Sequence, residues 1–187
     1  MDALTPDPPA IVEDAETPAR APKSEVRIEG LAGYGGSGMT IGAMPSLRYG
    51  ALLVAPSITY SSKIFSDEMF AWRMGTGASF TPSSMTRLEL LGVGGVHVYR
   101  GVGAELLGSA GANGTRPFLG AWAGASMVLG HFTIGAWAFY EGDLERSSVL
   151  TNDPVKQTDL FGGTQHPVQV GTDSVGVMLR LGVAFGG

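Results

Sequence analysis

Residues 39–60 read MTIGAMPSLRYGALLVAPSITY, and this stretch decides the fold. Apolar residues stand at every second position on both sides of the pair Gly50-Ala51. A period of two is typical of β-strands that have one apolar face. Gly50-Ala51 predicts a two-residue hairpin that pairs Tyr49 with Leu52, and both of these residues belong to the apolar face. The stretch therefore predicts two strands in a defined antiparallel register.

The same alternation recurs along the chain from residue 25 onward. It predicts eight strands, which span residues 25–34, 39–49, 52–60, 70–80, 87–99, 118–129, 132–141 and 175–185. Tight and long connections alternate, so turns gather at one end of the sheet and loops at the other. This predicts an all-β fold, an eight-stranded antiparallel up-and-down barrel. The facing of strand 118–129 stays open, because turns of two and of three residues would put opposite faces outward.

Composition separates the strand region from the start of the chain. Residues 1–24 hold five of the 11 prolines and five acids against two bases, without an aromatic residue. This composition predicts an acidic, Pro-rich disordered tail (1–24) followed by a barrel domain (25–187). The net charge of −5 gives no sign of a nucleic-acid partner, and the absence of Cys excludes disulfides and thiolate metal sites.

The two faces of the predicted strands differ in side-chain size. One face carries Val, Ile, Leu, Trp, Phe and Tyr, and the other carries mostly Gly, Ala, Ser and Thr with some charges. The interior of an eight-stranded barrel is only just filled by side chains, so the bulky face is predicted to point outward. Such an apolar exterior requires lipid, and strands of about ten tilted residues span an apolar band of about 25 Å. A soluble lipid-binding barrel, with the opposite facing, is the less favoured alternative.

Charged residues on the small-residue face are predicted to lie in the lumen. This predicted lumen charge cluster consists of Arg27, Glu29, Arg48, Arg87, Glu89 and Arg180 toward the turn end, and of Arg73 and Glu141 nearer the loop end. Because the first and last strands close a barrel, we expect Glu29 to pair with Arg180, and Glu89 to bridge Arg48 and Arg87. A paired cluster would plug the lumen. The alternative is a narrow gated pore for ions or small solutes.

Aromatic residues of the bulky face fall near the ends of the predicted strands. Such residues are typical of the girdles at both interfaces of a membrane barrel. The predicted lipid-interface aromatics are Tyr49, Phe80, Phe132 and Phe185 toward the turn end, and Tyr34, Tyr60, Phe70 and Tyr140 toward the loop end.

The alternating strands, the two kinds of connection and the last strand, which reads RLGVAF at 180–185, resemble the OmpA/OmpX-type small outer-membrane barrels. The last strand is similar to the C-terminal signal read by the barrel assembly machinery, except that Gly186-Gly187 follow the Phe. The resemblance implies a location in the bacterial outer membrane, with the tail in the periplasm and a signal peptide removed. We expect no peptidoglycan-binding domain in these 187 residues.

The sequence contains few residues that could form a catalytic or metal-binding site. His131 and Glu141 form the one local pair of a histidine with a carboxylate, and they lie too far apart along one strand to touch. We therefore expect no enzyme, no catalytic residue, no metal site and no cofactor. The longest connection, about residues 142–173, is either a contact site for a ligand or partner or a mobile solvated loop.

The expected function is that of a small, non-conducting outer-membrane barrel. It would act in envelope anchoring, adhesion or assembly through its loops and its N-terminal tail. The expected partners are outer-membrane lipid, the barrel assembly machinery during biogenesis, and a periplasmic or envelope protein bound by the tail; no nucleic acid is expected.

Overall fold

The computed structural model describes residues 24–62, 68–102, 112–145, 147–149, 168–170 and 173–186. The strands are β1 (Ser24–Gly35), β2 (Gly38–Tyr49), β3 (Leu52–Ser62), β4 (Glu68–Phe80), β5 (Thr86–Val102), β6 (Ala112–Leu129), β7 (Phe132–Asp143), β8 (Ser147–Val149), β9 (Val168–Val170) and β10 (Asp173–Gly186). In the described part of the chain, no helix has the length and apolarity that a membrane span requires. The predicted tail lies outside the described residues except for Ser24, with which β1 begins.

Eight of the strands form a closed barrel in the order β1-β10-β7-β6-β5-β4-β3-β2. Every neighbouring pair is antiparallel, and the seam between β1 and β10 runs from Glu25 opposite Gly186 to Gly35 opposite Gly176. The predicted eight-stranded up-and-down barrel is therefore confirmed. Strands β8 and β9 pair only with each other. We call the end of the barrel at Ser24 the turn end, and the opposite end the loop end.

Two hairpins at the turn end fix which residues face outward. Tyr49 lies opposite Leu52 across Gly50-Ala51, as predicted, and Gly50 has a φ of 61°. Leu129 lies opposite Phe132, so the next tight turn consists of Gly130 and His131. This turn settles the facing of β6 that the sequence left open. Its odd-numbered residues point outward and its even-numbered residues point into the lumen.

Strands β5 and β6 extend farther than the sequence predicts. They have 17 and 18 residues, whereas the other six barrel strands have 11 to 14. The extension lies at the loop end, beyond a register shift between Tyr99 and Val102. The sequence does not show the apolar alternation of a half-buried strand in this extension, so the pattern did not predict it. Strand β9 lies beside this extension.

The exterior of the barrel is apolar and its interior is not. Trp72 and Leu181 are 58 % and 64 % exposed and Ile58 is 37 % exposed, while Arg73 and Arg180 are only 6 % and 2 % exposed. A barrel with bulky apolar side chains on its exterior and arginines in its interior is stable when lipid surrounds it. The predicted outward facing of the bulky side chains is therefore confirmed.

The interior differs from the prediction of small and charged residues alone. Its apolar side chains form one cluster between the charged groups, the apolar layer, which reaches from Leu53 opposite Arg48 to Phe118 beside His97. The layer consists of Leu31, Met44, Leu53, Ala55, Leu91, Val93, Phe118, Trp122, Trp137, Phe139 and Met178. Glycines on the inner face provide the room for these rings. The Trp137 ring lies against Gly124 so closely that a Cβ there would clash with it. A glycine in the lumen therefore marks the place of a large neighbouring side chain rather than an open space.

Candidate functional site

The lumen carries charged groups at both ends of the apolar layer. The turn-end cluster consists of Glu25, Arg27, Glu29, Arg48, Arg87, Glu89 and Arg180. The loop-end cluster consists of Arg73, His97, Tyr99, Glu141 and Asp143. The eight predicted lumen residues divide between the two clusters in the way their distances from the predicted turns indicate: Arg73 and Glu141 lie at the loop end, and the other six lie at the turn end.

Arginines cross-link the turn-end cluster. Arg27 donates from Nε to Glu25 and from Nη1 to Glu89 Oε1, the latter over 2.7 Å. The other oxygen of Glu89, Oε2, lies 2.5 Å from Nη1 of Arg180. Arg180 also stacks on Trp137, with its guanidinium carbon 4.4 Å from the ring centroid. The cluster therefore contacts the apolar layer directly through a cation–π pair.

The seam of the barrel brings Glu29 and Arg180 together. Their Oε2 and Nη1 atoms are 3.5 Å apart, and both side chains are fully buried. The hydroxyl of Thr133 donates to Glu29 Oε1 over 3.2 Å. The ion pair expected across the closure of β1 with β10 is present in the structure.

Glu89 does not bridge Arg48 and Arg87, and the prediction that it does was wrong. Those two arginines instead approach Glu25, with their Nη2 atoms 3.1 Å and 3.6 Å from its Oε2. Glu25 is the direct cross-strand neighbour of Arg48, at the level of the barrel mouth. Glu89 lies one inward position deeper than Arg87, level with Arg27, so it pairs there instead.

Arg73 and Glu141 form the centre of the loop-end cluster. Nε and Nη2 of Arg73 donate to Oε1 and Oε2 of Glu141 over 2.6 Å and 2.9 Å, a bidentate pair. The remaining nitrogen of Arg73 donates to Thr59 over 2.6 Å. Trp122 donates from Nε1 to Glu141 Oε1 over 2.8 Å. These bonds connect strands β3, β4, β6 and β7 across the lumen.

His97 joins this pair to the end of β7. Its Nε2 lies 3.1 Å from Glu141 Oε2 and its Nδ1 lies 2.7 Å from Asp143 Oδ1. Tyr99 donates its hydroxyl to Asp143 Oδ2 over 2.5 Å. The imidazole stacks flat on Phe118, with the ring centroids 3.9 Å apart. Both ring nitrogens thus face carboxylates.

The lumen is filled at each of its three levels. Arg27, Glu29 and Arg180 at the turn end are at most 2 % exposed, and so are Trp137 and Met178 in the apolar layer. At the loop end, His97 and Glu141 are fully buried as well. A pore wide enough for water would expose its lining. Among the described residues, buried side chains therefore fill the lumen at all three levels and hold the barrel together.

The predicted lipid-interface aromatics lie at the two ends of the exterior. Six of them are at least half exposed, namely Tyr34, Tyr49, Phe80, Phe132, Tyr140 and Phe185. Tyr60 and Phe70 are partly buried against each other, with ring centroids 4.9 Å apart. Arg100 lies over Phe70 at 5.4 Å, on the loop-end side of the exterior.

Sequence reasoning missed several members of the two clusters. Glu25 stands two residues before Arg27, and Asp143 stands two residues after Glu141, so each shares an inner face with a predicted lumen charge. That spacing is the signal that could have found them. His97 lies on β5, and no signal in the local sequence indicates its role because its carboxylate partners lie on β7. Within the residues that the structure describes, no group of three or more His, Asp or Glu is arranged to hold a metal ion.

No protein-family model and no curated protein sequence matches this chain. Solved structures do match. The N-terminal β-barrel domain of Pseudomonas aeruginosa OprF has a TM-score of 0.54 at 12 % identity, over 88 % of this chain and 99 % of that one. Neisserial surface protein A (NspA) has a TM-score of 0.47 at 16 % identity, over 87 % and 95 %. Ail, the attachment invasion locus protein of Yersinia pestis, has 0.47 at 16 %, over 88 % and 99 %. With its closed barrel and its apolar exterior, the chain has the fold of the small eight-stranded outer-membrane barrels of the OmpA/OmpX type.

Proposed function

We propose that this chain is a non-conducting barrel of the bacterial outer membrane that anchors or presents interaction surfaces rather than transporting solutes. The observation that carries the proposal is the burial of the lumen side chains at all three levels. An enzymatic role has no support in the described lumen, where both nitrogens of His97 are bonded to carboxylates. The barrel would thus serve as a rigid membrane-embedded scaffold.

Opening the lumen would require the disruption of more than one layer. Arg73 would have to leave Glu141, Arg27 and Arg180 would have to leave Glu89, and Trp137 would have to leave its place over Gly124. Breaking one buried ion pair while leaving a charge unpaired costs about 3–5 kcal/mol. The combined cost favours a permanent plug over a gate.

The interaction surfaces would be the two ends of the barrel. An even number of strands puts both ends of the barrel domain on one side, and we propose that this turn end and the segment 1–24 face the periplasm. The opposite end would face outward. It carries the extension of β5 and β6, with β9 beside it. This projecting edge is the best candidate for adhesion or for contact with another envelope component.

Three kinds of partner fit this role. Outer-membrane lipid would cover the apolar exterior between the aromatic girdles. The barrel assembly machinery would recognise the last strand, β10, during biogenesis. A periplasmic or envelope protein would be bound by the acidic N-terminal segment.

We expect no stepwise conductance from the purified protein in planar lipid bilayers, because each level of the lumen is closed. Heat-modifiable mobility in a gel establishes that the inserted protein is folded. Glu89→Ala removes the partner of Arg27 and Arg180, yet leaves the apolar layer and the loop-end cluster in place, so it should also be silent. Steady conductance from the wild-type protein, or its appearance in E89A but not in the surface variant Glu145→Ala, would instead establish the narrow gated pore.

The tail proposal has a separate test. The intact protein and a variant in which residues 1–23 are replaced by a Gly/Ser segment of equal length would be purified from the outer membrane after cross-linking. We expect the replacement to lose a cross-linked envelope protein that the intact chain retains. The same set of cross-linked proteins from both would show that the acidic segment binds none of them.

A further inference from the structure

The two charged clusters of the lumen differ in how completely their polar atoms are bonded. In the loop-end cluster, every side-chain nitrogen and oxygen of Arg73, His97 and Glu141 has a hydrogen-bond partner. In the turn-end cluster, four guanidinium groups face three carboxylates, and hydrogen bonding is incomplete on both sides. The buried atoms without a hydrogen bond are Arg27 Nη2, Arg48 Nε, Arg87 Nε, all three nitrogens of Arg180, Glu29 Oε2 and Glu89 Oε2. With four guanidinium groups against three carboxylates, the turn end holds one positive charge more than its own carboxylates compensate.

Two of the four arginines lie at the mouth of the barrel. Arg48 precedes the last residue of β2 and Arg87 is the second residue of β5, so both lie at the outermost inward level of the turn end. Their side chains are only 10 % and 11 % exposed. Both direct Nη2 toward the same oxygen of Glu25, whose other oxygen is already bonded to Arg27. One carboxylate thus serves three guanidinium groups.

We propose that Arg48 and Arg87 bind a small oxyanion, a phosphate or carboxylate group, at the turn-end mouth. Guanidinium groups bind such anions through paired N–H donors. The anion would accept hydrogen bonds from the guanidinium groups of Arg48 and Arg87, and it would compensate the extra positive charge. Charges that are buried in a narrow lumen need both hydrogen-bond partners and opposite charges, because these offset the cost of desolvation. The site does not depend on whether the barrel conducts.

The oxyanion could come from two sources. One is a free anion of the surrounding solution, for which inorganic phosphate is the probe. The other is a carboxylate of the chain itself, because the five acids of residues 1–24 precede Ser24, which lies at this same mouth. Neutralising those acids separates the two sources without altering the barrel.

The test follows the Nε–H signals of arginine in ¹H–¹⁵N spectra of the full chain, refolded in detergent micelles. Sodium phosphate replaces sodium chloride at constant ionic strength. We expect saturable shifts of the Arg48 and Arg87 signals, while the Arg73 signal, whose Nε is bonded to Glu141, stays in place. Arg48→Gln or Arg87→Gln should weaken phosphate binding about ten-fold or more, since a hydrogen bond to a charged group is lost. Arg100→Gln, on the exterior, is the matched control and should leave it unchanged.

A second protein decides between the sources. It carries Asp2→Asn, Asp7→Asn, Glu13→Gln, Asp14→Asn and Glu16→Gln. If the wild-type signals do not respond but those of this variant do, the site is occupied by the chain's own carboxylates. Absence of a saturable response in both proteins would overturn the proposal. So would shifts of equal size at Arg48, Arg73, Arg87 and Arg100, because these would report general screening.

Discussion

Replacing Glu141 by alanine is expected to lower the free energy of unfolding by about 3–5 kcal/mol, the cost of leaving a buried charge without its partner. Glu141 accepts hydrogen bonds from Arg73, His97 and Trp122 within the lumen. Its loss therefore leaves the guanidinium of Arg73 with Thr59 as its remaining hydrogen-bond partner. Water cannot easily replace the carboxylate, because the lumen around it is filled.

The measurement is urea-induced unfolding of the protein refolded into lipid vesicles, followed by tryptophan fluorescence. Glu145→Ala is the control, since Glu145 is an exposed acid four residues farther along and substitutions at such sites change stability by about 0.5 kcal/mol or less. Glu141→Gln keeps the shape and should fall between the two. Equal stability of E141A and E145A would contradict a structural role for the loop-end cluster.

An arginine in place of Leu179 should destabilise the barrel in lipid by about 2–4 kcal/mol, the cost of a cation on the lipid face near the midplane. Leu179 lies near the middle of β10 and is 66 % exposed. Val175 lies on the same face of the same strand, near the loop end, and is 65 % exposed. Val175→Arg should therefore cost only about 0–1 kcal/mol, because this position lies close to the membrane interface.

The two arginine variants form a matched pair in which only depth differs. Their free energies of unfolding are compared in vesicles by the same urea titration. A barrel surrounded by water would tolerate both substitutions equally, since each places a charge on an exposed surface. An equal effect of L179R and V175R would thus contradict the membrane assignment.

Much of the fold could be predicted because it depends on local patterns. A period of two identifies a half-buried strand, and the two-residue turn at Gly50-Ala51 fixes the register of its neighbours. The outward facing followed from volume, since the bulky side chains of eight strands cannot all fit inside a narrow barrel. The pairing of Glu29 with Arg180 was predictable as well, because closure brings the first and last strands together.

The rest of the lumen could not be predicted because it depends on contacts across the barrel. Glu89 lies on β5, whereas its partners Arg27 and Arg180 lie on β1 and β10, across the lumen. Neither the spacing nor the local sequence indicates which arginine lies opposite Glu89. The apolar layer could not be predicted from the sequence for a similar reason. In the sequence, Gly124 suggests unfilled space in the lumen. In the barrel, the ring of Trp137 occupies the space where a side chain of residue 124 would lie.

The seam between β1 and β10 also dictates an order of events during synthesis. Glu25 pairs with Gly186, so the two partners are separated by almost the whole chain. Until β10 has been synthesised, β1 keeps a row of backbone groups that hydrocarbon cannot hydrogen-bond. Insertion of this barrel into a bilayer therefore has to follow translation rather than accompany it, and the polypeptide must be kept from aggregating through its unpaired edges in the meantime.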